Sequence, residues 1–305
     1  MKFDVILTNP PFQDSVNRKK TPHKLWIDFT LTVFDRLLVD GGSLVQVSPA
    51  SISSPSNVVL SLMEENQTNV LRLETGHHFP QIGSTFCDYW IKKQENDPTP
   101  TTIIKGAERF DIELSSAMTY LPNDIGRLSL SVHHKVMFSG RPSLNVEWDY
   151  VTCHNIRRRD DPPSLVEQPS PAHPYPVFHT NNLTWWSSIR QDWADQPKVM
   201  WTRSGYTKPF YDSGVYGGTD MVYFVRVDDE AAGLALAANM NSVLMRYIYR
   251  TAKWSGFGNE RVFAGLPDLP RDRALSDEEM FARFALTNEE VDHVRTALEP
   301  RRARA

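Results

Sequence analysis

Phe3-Asp4-Val5-Ile6-Leu7-Thr8 reads as a short apolar strand, and Asn9-Pro10-Pro11-Phe12 follows it directly. Each proline locks φ near about −65° and lacks a backbone donor, so the turn is stiff and rich in carbonyl acceptors. On its own the tetrapeptide is equally an ordinary tight turn. Its place straight after a buried-type strand makes it a candidate site.

Downstream, Thr21-Pro22 has the form of an N-cap followed by proline at the first helical position. Leu25, Trp26, Phe29, Val33 and Leu37 recur at helical spacing, which predicts an amphipathic helix over 22–39 ended by Gly41-Gly42. Strands are predicted at 43–48, 70–73 and 85–93, with a helix starting within 53–57 and running to Asn66. Strands alternating with helices indicate an α/β fold with a parallel sheet.

A strand that delivers Asn-Pro-Pro-aromatic into a loop resembles the catalytic signature of the amino-group methyltransferases, chiefly the N6-adenine DNA methyltransferases of restriction–modification systems. The resemblance implies that the Asn9 side-chain carbonyl and the Pro10 backbone carbonyl accept both N–H groups of the target amine. It implies further that Pro11 stiffens the loop and that Phe12 stacks on the base. The chemistry suits these residue types. An exocyclic adenine amine is a poor nucleophile, because its lone pair is delocalised into the ring. Fixed acceptors aimed at the developing charge are an efficient remedy. The amine is not accessible within the stack, so the base has to leave the duplex. Methyl transfer from a sulfonium donor is an in-line displacement in which positioning supplies much of the rate, and no metal is required.

The implied cofactor is S-adenosylmethionine and the implied partner is double-stranded DNA. The succession of elements over residues 1–93 resembles the second half of a class I (Rossmann-like) methyltransferase sheet. In that family a first half carries a Gly-rich turn for the methionine part of the cofactor and an acidic residue for its ribose. No such segment precedes Phe3. Downstream, Ser255-Gly256-Phe257-Gly258-Asn259 is the nearest candidate, but Glu260 to Phe263 and Pro267 follow it instead of a helix; Gly217-Gly218-Thr219 is weaker still. The expectation is a catalytic half whose cofactor half comes from a separate polypeptide or from upstream of this start. The strand at 3–7 would then be a sheet edge with an apolar face, and the chain would be poorly soluble or covered by a partner.

Residues 94–102 are polar, contain Pro98 and Pro100, and read as a linker. Short strands and turns are expected over 103–150, an extended loop over the six prolines of 162–176, strands at 198–201 and 221–225, and one helix over 230–253. Lys198-Val199-Met200, Asp212-Ser213-Gly214, Met221 to Val225, Asn241-Ser242 and Leu266-Pro267 together resemble the target-recognition region of the same methyltransferases. Ser276-x-x-Glu279 and Thr287-x-x-Glu290 are capping boxes that open two short helices. The expected division is a catalytic half over 1–95, a mixed α+β target-recognition region over 96–270 and a helical tail over 271–305.

The 305-residue chain, 40% hydrophobic and 11% aromatic, can bury a sizeable core. It has no long apolar run and no signal segment, which with only two distant cysteines, Cys87 and Cys153, points to a cytoplasmic setting without a structural metal. The pairs His77-His78 and His133-His134 lack metal-ligand spacing. The net charge is −4, so contact with DNA has to come from local basic patches. Arg18-Lys19-Lys20 is either such a patch or a solvated loop. Arg157-Arg158-Arg159 either contacts phosphates or pairs with Asp160-Asp161. Arg203 and Lys208 flank a small-residue turn suited to DNA. A rival reading is a catalytically inactive DNA-binding or remnant module of a restriction–modification system. A third places the same signature on protein glutamine or RNA bases.

Overall fold

The computed structural model describes residues 1–12, 25–54, 57–75, 85–96, 99–149, 162–180, 184–203, 208–252, 262–263 and 265–299. The chain divides into two compact units, Met1–Leu130 and Ser131–Ala305.

The first unit is built on six strands: β1 (Phe3–Thr8), β2 (Leu38–Pro49), β3 (Asn66–Leu73), β4 (Phe86–Glu95), β5 (Thr101–Lys105) and β6 (Glu108–Ile112). Their order is β1-β2-β4-β3-β5-β6. The sheet is mixed, not parallel as the alternation of elements suggested. β1 runs parallel to β2 and β3 to β5, but β4 is antiparallel to both of its neighbours. β3 and β4 are consecutive in the chain and adjacent in the sheet, so the second turns back along the first.

One face of this sheet is buried. Leu44, Gln46 and Ser48 of β2, Cys87, Tyr89 and Ile91 of β4, and Leu71 and Leu73 of β3 lie on it. Helix α1 (Leu25–Thr32) and helix α2 (Val58–Glu65) cover it with Trp26, Thr30, Val59, Leu60 and Met63. The Asn57 side chain caps α2 by accepting from Val59 N–H. On the other face the row Leu7, Val45, Trp90 is in register across three strands, and Leu7 and Trp90 are 79% and 41% exposed.

The predicted helix over 22–39 stops sooner than its apolar spacing implied. α1 passes into a π-helical turn at Val33–Leu37, and β2 begins at Leu38. Gly41-Gly42 therefore lies inside β2, where the pairing with β1 jumps from Phe3↔Leu38 to Val5↔Ser43. Gly41 sits at φ +78°, and a Cβ on Gly42 would lie 3.0 Å from the Asp4 carbonyl oxygen, so the bulge needs both glycines.

Residues 94–102 are not a boundary either. β4 runs to Glu95, β5 starts at Thr101, and Thr101 Oγ1 donates to the Thr68 carbonyl at 2.8 Å. β5 and β6 complete the same sheet, and Leu114, Tyr120, Leu121 and Ile125 are buried. Helix α3 (Arg127–Val136), where strands and turns were expected, contains the division between the units.

Among the described residues the second unit holds two four-stranded sheets. One has the order β12-β11-β14-β7, formed by β7 (Glu147–Trp148), β11 (Lys198–Thr202), β12 (Phe210–Asp212) and β14 (Val222–Arg226). The other has the order β13-β9-β10-β8, formed by β8 (Leu165–Val166), β9 (Tyr175–Phe178), β10 (Thr184–Ser187) and β13 (Gly217–Gly218). The proline-rich stretch is thus not all loop. β13 pairs with β9 only at Val177 and Phe178, which leaves that flank of Pro176 open and tolerates its missing N–H.

The single helix expected over 230–253 is two: α4 (Glu230–Met240) and α5 (Val243–Thr251). Asn241 Nδ2 donates to the Ala237 and Pro209 carbonyls, and Ser242 Oγ accepts from Met245 N–H to cap α5. These side chains compete with the helix for its own backbone groups. Helices α6 (Asp277–Arg283) and α7 (Asn288–Leu298) both begin with complete capping boxes. Met280, Phe281, Phe284 and Val294 share one core with Leu236, Leu244 and Ile248, so residues 276–298 belong to the body of this unit rather than to a tail.

Candidate functional site

The Asn-Pro-Pro-Phe turn leaves the C-terminal end of β1, beside the parallel strand β2. Ligands of open α/β sheets collect beyond that end of parallel strands. Asn9 and Pro11 are exposed, Pro10 is buried and Phe12 is half-buried. The alternation follows from the chain direction: one proline anchors the turn while its neighbours face outward. The Phe12 ring leans on Phe86, with centroids 5.3 Å apart and planes at 39°. Phe86 is itself buried at the start of β4, opposite Pro49 of β2. Phe12 is therefore braced from behind by the core and keeps part of its surface free.

The strand ends below this turn are tied down by a buried polar layer. Thr8 pairs with Gln46, whose Nε2 donates to Thr30 Oγ1 at 2.6 Å; Thr30 Oγ1 in turn donates to the Trp26 carbonyl at 2.6 Å. Ser48 and Cys87 meet at 3.4 Å. Burial pushes the Cys87 thiol up to about 12, so it stays protonated and unreactive. Burial likewise raises the Tyr89 hydroxyl, against the opposing effect of the Thr30 and Ser48 hydroxyls beside it. The layer offers no base or nucleophile; it holds α1 against the sheet.

No family model matches the sequence, and no curated protein matches it. Three solved structures show the range of its likeness to known folds. The type IIL restriction-modification enzyme MmeI in complex with DNA is 12% identical over 98% of this chain and 55% of its own, with a TM-score of 0.45. A nuclease-deletion mutant of the type ISP restriction-modification enzyme LlaGI, in complex with a DNA substrate mimic, is 10% identical over 96% of this chain and 41% of its own, with a TM-score of 0.49. The M protein of the type I restriction enzyme EcoKI is 16% identical over 42% of this chain and 28% of its own, with a TM-score of 0.29. The chain spans from about a quarter to just over half of the length of the solved chains it matches. The likeness is loose, and the functional reading rests on this chain's own residues.

Of the basic residues expected to face DNA, Arg18, Lys19, Lys20, Arg157 and Arg158 lie outside the described residues, as do Ser255 to Asn259 and Cys153. Arg203 is half-buried, with its N–H on the Met221 carbonyl at 2.8 Å; Lys208 is exposed. The Asn241-Ser242 and Leu266-Pro267 features turn out to have structural work: the first breaks a helix, and the second pairs through the Leu266 carbonyl with Leu144 N–H. Gly217-Gly218, the weaker cofactor candidate, is closed. A Cβ on Gly217 would lie 2.2 Å from Gln191 Oε1, and one on Gly218 would lie 3.1 Å from the Trp193 ring. Among the described residues no helix is long and apolar enough to cross a membrane.

Sequence reasoning missed the centre of the second unit. Lys198 is wholly buried and donates to Asp212 Oδ2 at 2.6 Å and to the Ala194 and Gln196 carbonyls at 2.8 and 3.0 Å. Burial lowers its ammonium's affinity for the proton, and Asp212 opposes that. Nothing in a lysine that opens an apolar strand announces such burial.

Proposed function

We propose that this chain is the catalytic half and target-recognition region of a restriction–modification enzyme that methylates adenine N6 in DNA. The observation that carries the reading is the turn itself: an outward Asn9 beside an anchored Pro10 and a braced Phe12, at the carboxyl end of a strand parallel to its neighbour. The succession strand, turn, helix, strand, helix, strand, strand over 1–95 supports it. In this reading the Asn9 Oδ1 and the Pro10 carbonyl oxygen accept the two amine N–H groups. That arrangement favours the pyramidal nitrogen of the transition state over the planar one of the free base. Phe12 supplies the plane on which the extruded ring stacks.

The one candidate glycine pair among the described residues, Gly217-Gly218, packs against Gln191 and Trp193. In this reading the cofactor half is supplied by a separate polypeptide segment. Among the described residues β1 has a single neighbour in the sheet, and its Phe3, Val5 and Leu7 are 44%, 64% and 79% exposed. A free edge and an apolar strand face call for a cover of that kind. The competing reading is a chain that grips DNA without modifying it.

Two assays separate them. The purified chain is first mixed with duplex DNA and radiolabelled S-adenosylmethionine, alone and with a candidate cofactor half. Methyl transfer to adenine on complementation supports the proposal; DNA binding without label transfer in any combination supports the inactive module. In the second, 2-aminopurine at the target position brightens if the chain extrudes the base, and Asn9→Ala leaves that signal intact.

A further inference from the structure

A cavity of about 250 Å³ opens in the second unit between β9, the segment Ile189–Asp195 and the turn Gly214–Gly217. It is smaller than the roughly 300–1,000 Å³ of pockets that enclose a drug-sized ligand, so it has room for one small group. Its walls are fixed by the buried ion pair. Lys198 holds the Ala194 and Gln196 carbonyls on one side, and Asp212 on the other accepts from Gly214, Val215 and Tyr216 N–H at 3.2–3.3 Å. Gly214, at φ +104°, packs so closely on Asp195 that a Cβ would lie 2.4 Å from its carbonyl oxygen. Gln191 adds a third tie, donating to Asp149 and to the Gly218 carbonyl while accepting from Gly218 N–H.

The rim differs from this frame. Ile189 and Val215 are 60% and 53% exposed, and between them stands Arg190, half-exposed, with its Nη2 on Asp195 Oδ2 at 3.1 Å. The Nη2 group bonds the carboxylate, and just over half of the arginine side chain is exposed to solvent. A neighbouring carboxylate disfavours a phosphate partner by like-charge repulsion. A neutral base edge escapes that repulsion, and the contact biases the orientation of the guanidinium. The guanine edge in the major groove presents two acceptors, N7 and O6, that match such a fork, while exposed aliphatic side chains beside it pack on base planes and methyl groups.

We infer that Arg190, oriented by Asp195, reads one guanine of the DNA target, with Ile189 and Val215 as the apolar wall; this rests on the DNA reading above. The test is selection of bound duplexes from a randomised pool at fixed salt, using the full chain and its Arg190→Lys and Asp195→Asn variants. The wild type is expected to enrich a motif with an invariant G at one position. Arg190→Lys keeps the charge but loses the fork. It should relax that position by about ten-fold or more and leave the other positions unchanged, while Asp195→Asn relaxes the same position partly. Overturning results are an unchanged motif in Arg190→Lys, or equal weakening on all sequences, which marks a phosphate contact. If the wild type binds no duplex at all, the DNA reading itself fails, and the two failures are thereby told apart.

Discussion

Lys198 and Asp212 show what one buried pair does in a small sheet. Their side chains are 0% and 2% exposed, and the ammonium makes three hydrogen bonds, to Asp212 and to the Ala194 and Gln196 carbonyls. Removing either partner leaves the other charge uncompensated in the core. Asp212→Ala is therefore expected to cost about 3–5 kcal/mol, read as a lower urea midpoint; a loss under about 1 kcal/mol would show the pair to be dispensable. Asn9 is the opposite case. It is exposed, so Asn9→Ala should leave the unfolding midpoint within about 0.5 kcal/mol of the wild type. In the complemented enzyme the same change is expected to lower methyl transfer by roughly 10²–10³-fold, the usual consequence of losing one preorganised transition-state contact. DNA affinity should stay nearly constant; a parallel fall in binding and transfer would contradict the role given to Asn9.

At the scale of elements, α2 carries an electrostatic conflict at its end. Glu64 and Glu65 occupy its last turn, where the helix dipole already favours positive charge. Partial burial, and then Glu65, raise the Glu64 carboxyl to about 7. Because the folded value lies above the unfolded one, the protonated form is the better folded partner. Stability is then highest at pH below about 4.5 and falls as pH rises from there towards 7. Glu64→Gln removes that fall. At pH 8 it should stabilise the protein by on the order of 1 kcal/mol after allowance for solvent screening, and at pH 4 it should change little. Thermal melts of both proteins at the two pH values decide this. Equal melting differences at both would mean that the carboxyl is not displaced.

At the scale of the molecule, the edge strand of the first unit bears on association in solution. Among the described residues β1 pairs on one side only, and it shows three apolar side chains to solvent. Self-association or capture by a covering partner is the expected outcome, and Val5→Lys with Leu7→Lys should suppress it by placing charge on the edge. Sedimentation velocity over a concentration series measures this. A wild-type chain that stays monomeric at high concentration would argue against an unfilled edge.

Much of the local structure could be read from the residues. Apolar runs marked β1, β2 and β4, the capping boxes of α6 and α7 formed as written, and the Asn-Pro-Pro-Phe turn stands at the end of a strand, as its sequence neighbours indicated. These features depend on contacts within a few residues, which is why a linear reading reaches them. The bulge at Gly41-Gly42, the helix break at Asn241-Ser242 and the place of β5 and β6 in the first sheet escaped it. In each, a backbone group or strand from far along the chain decides between two locally acceptable conformations: the Asp4 carbonyl, the Pro209 carbonyl, and the edge of β3. The cavity beside Arg190 is the extreme case. Its walls come from three separate stretches, and a lysine and an aspartate fourteen residues apart hold them. Sequence by itself determined which residues can do chemistry near Asn9; only the tertiary structure decided which of them are anchored, exposed or closed, because burial is a property of what packs on a residue and not of the residue.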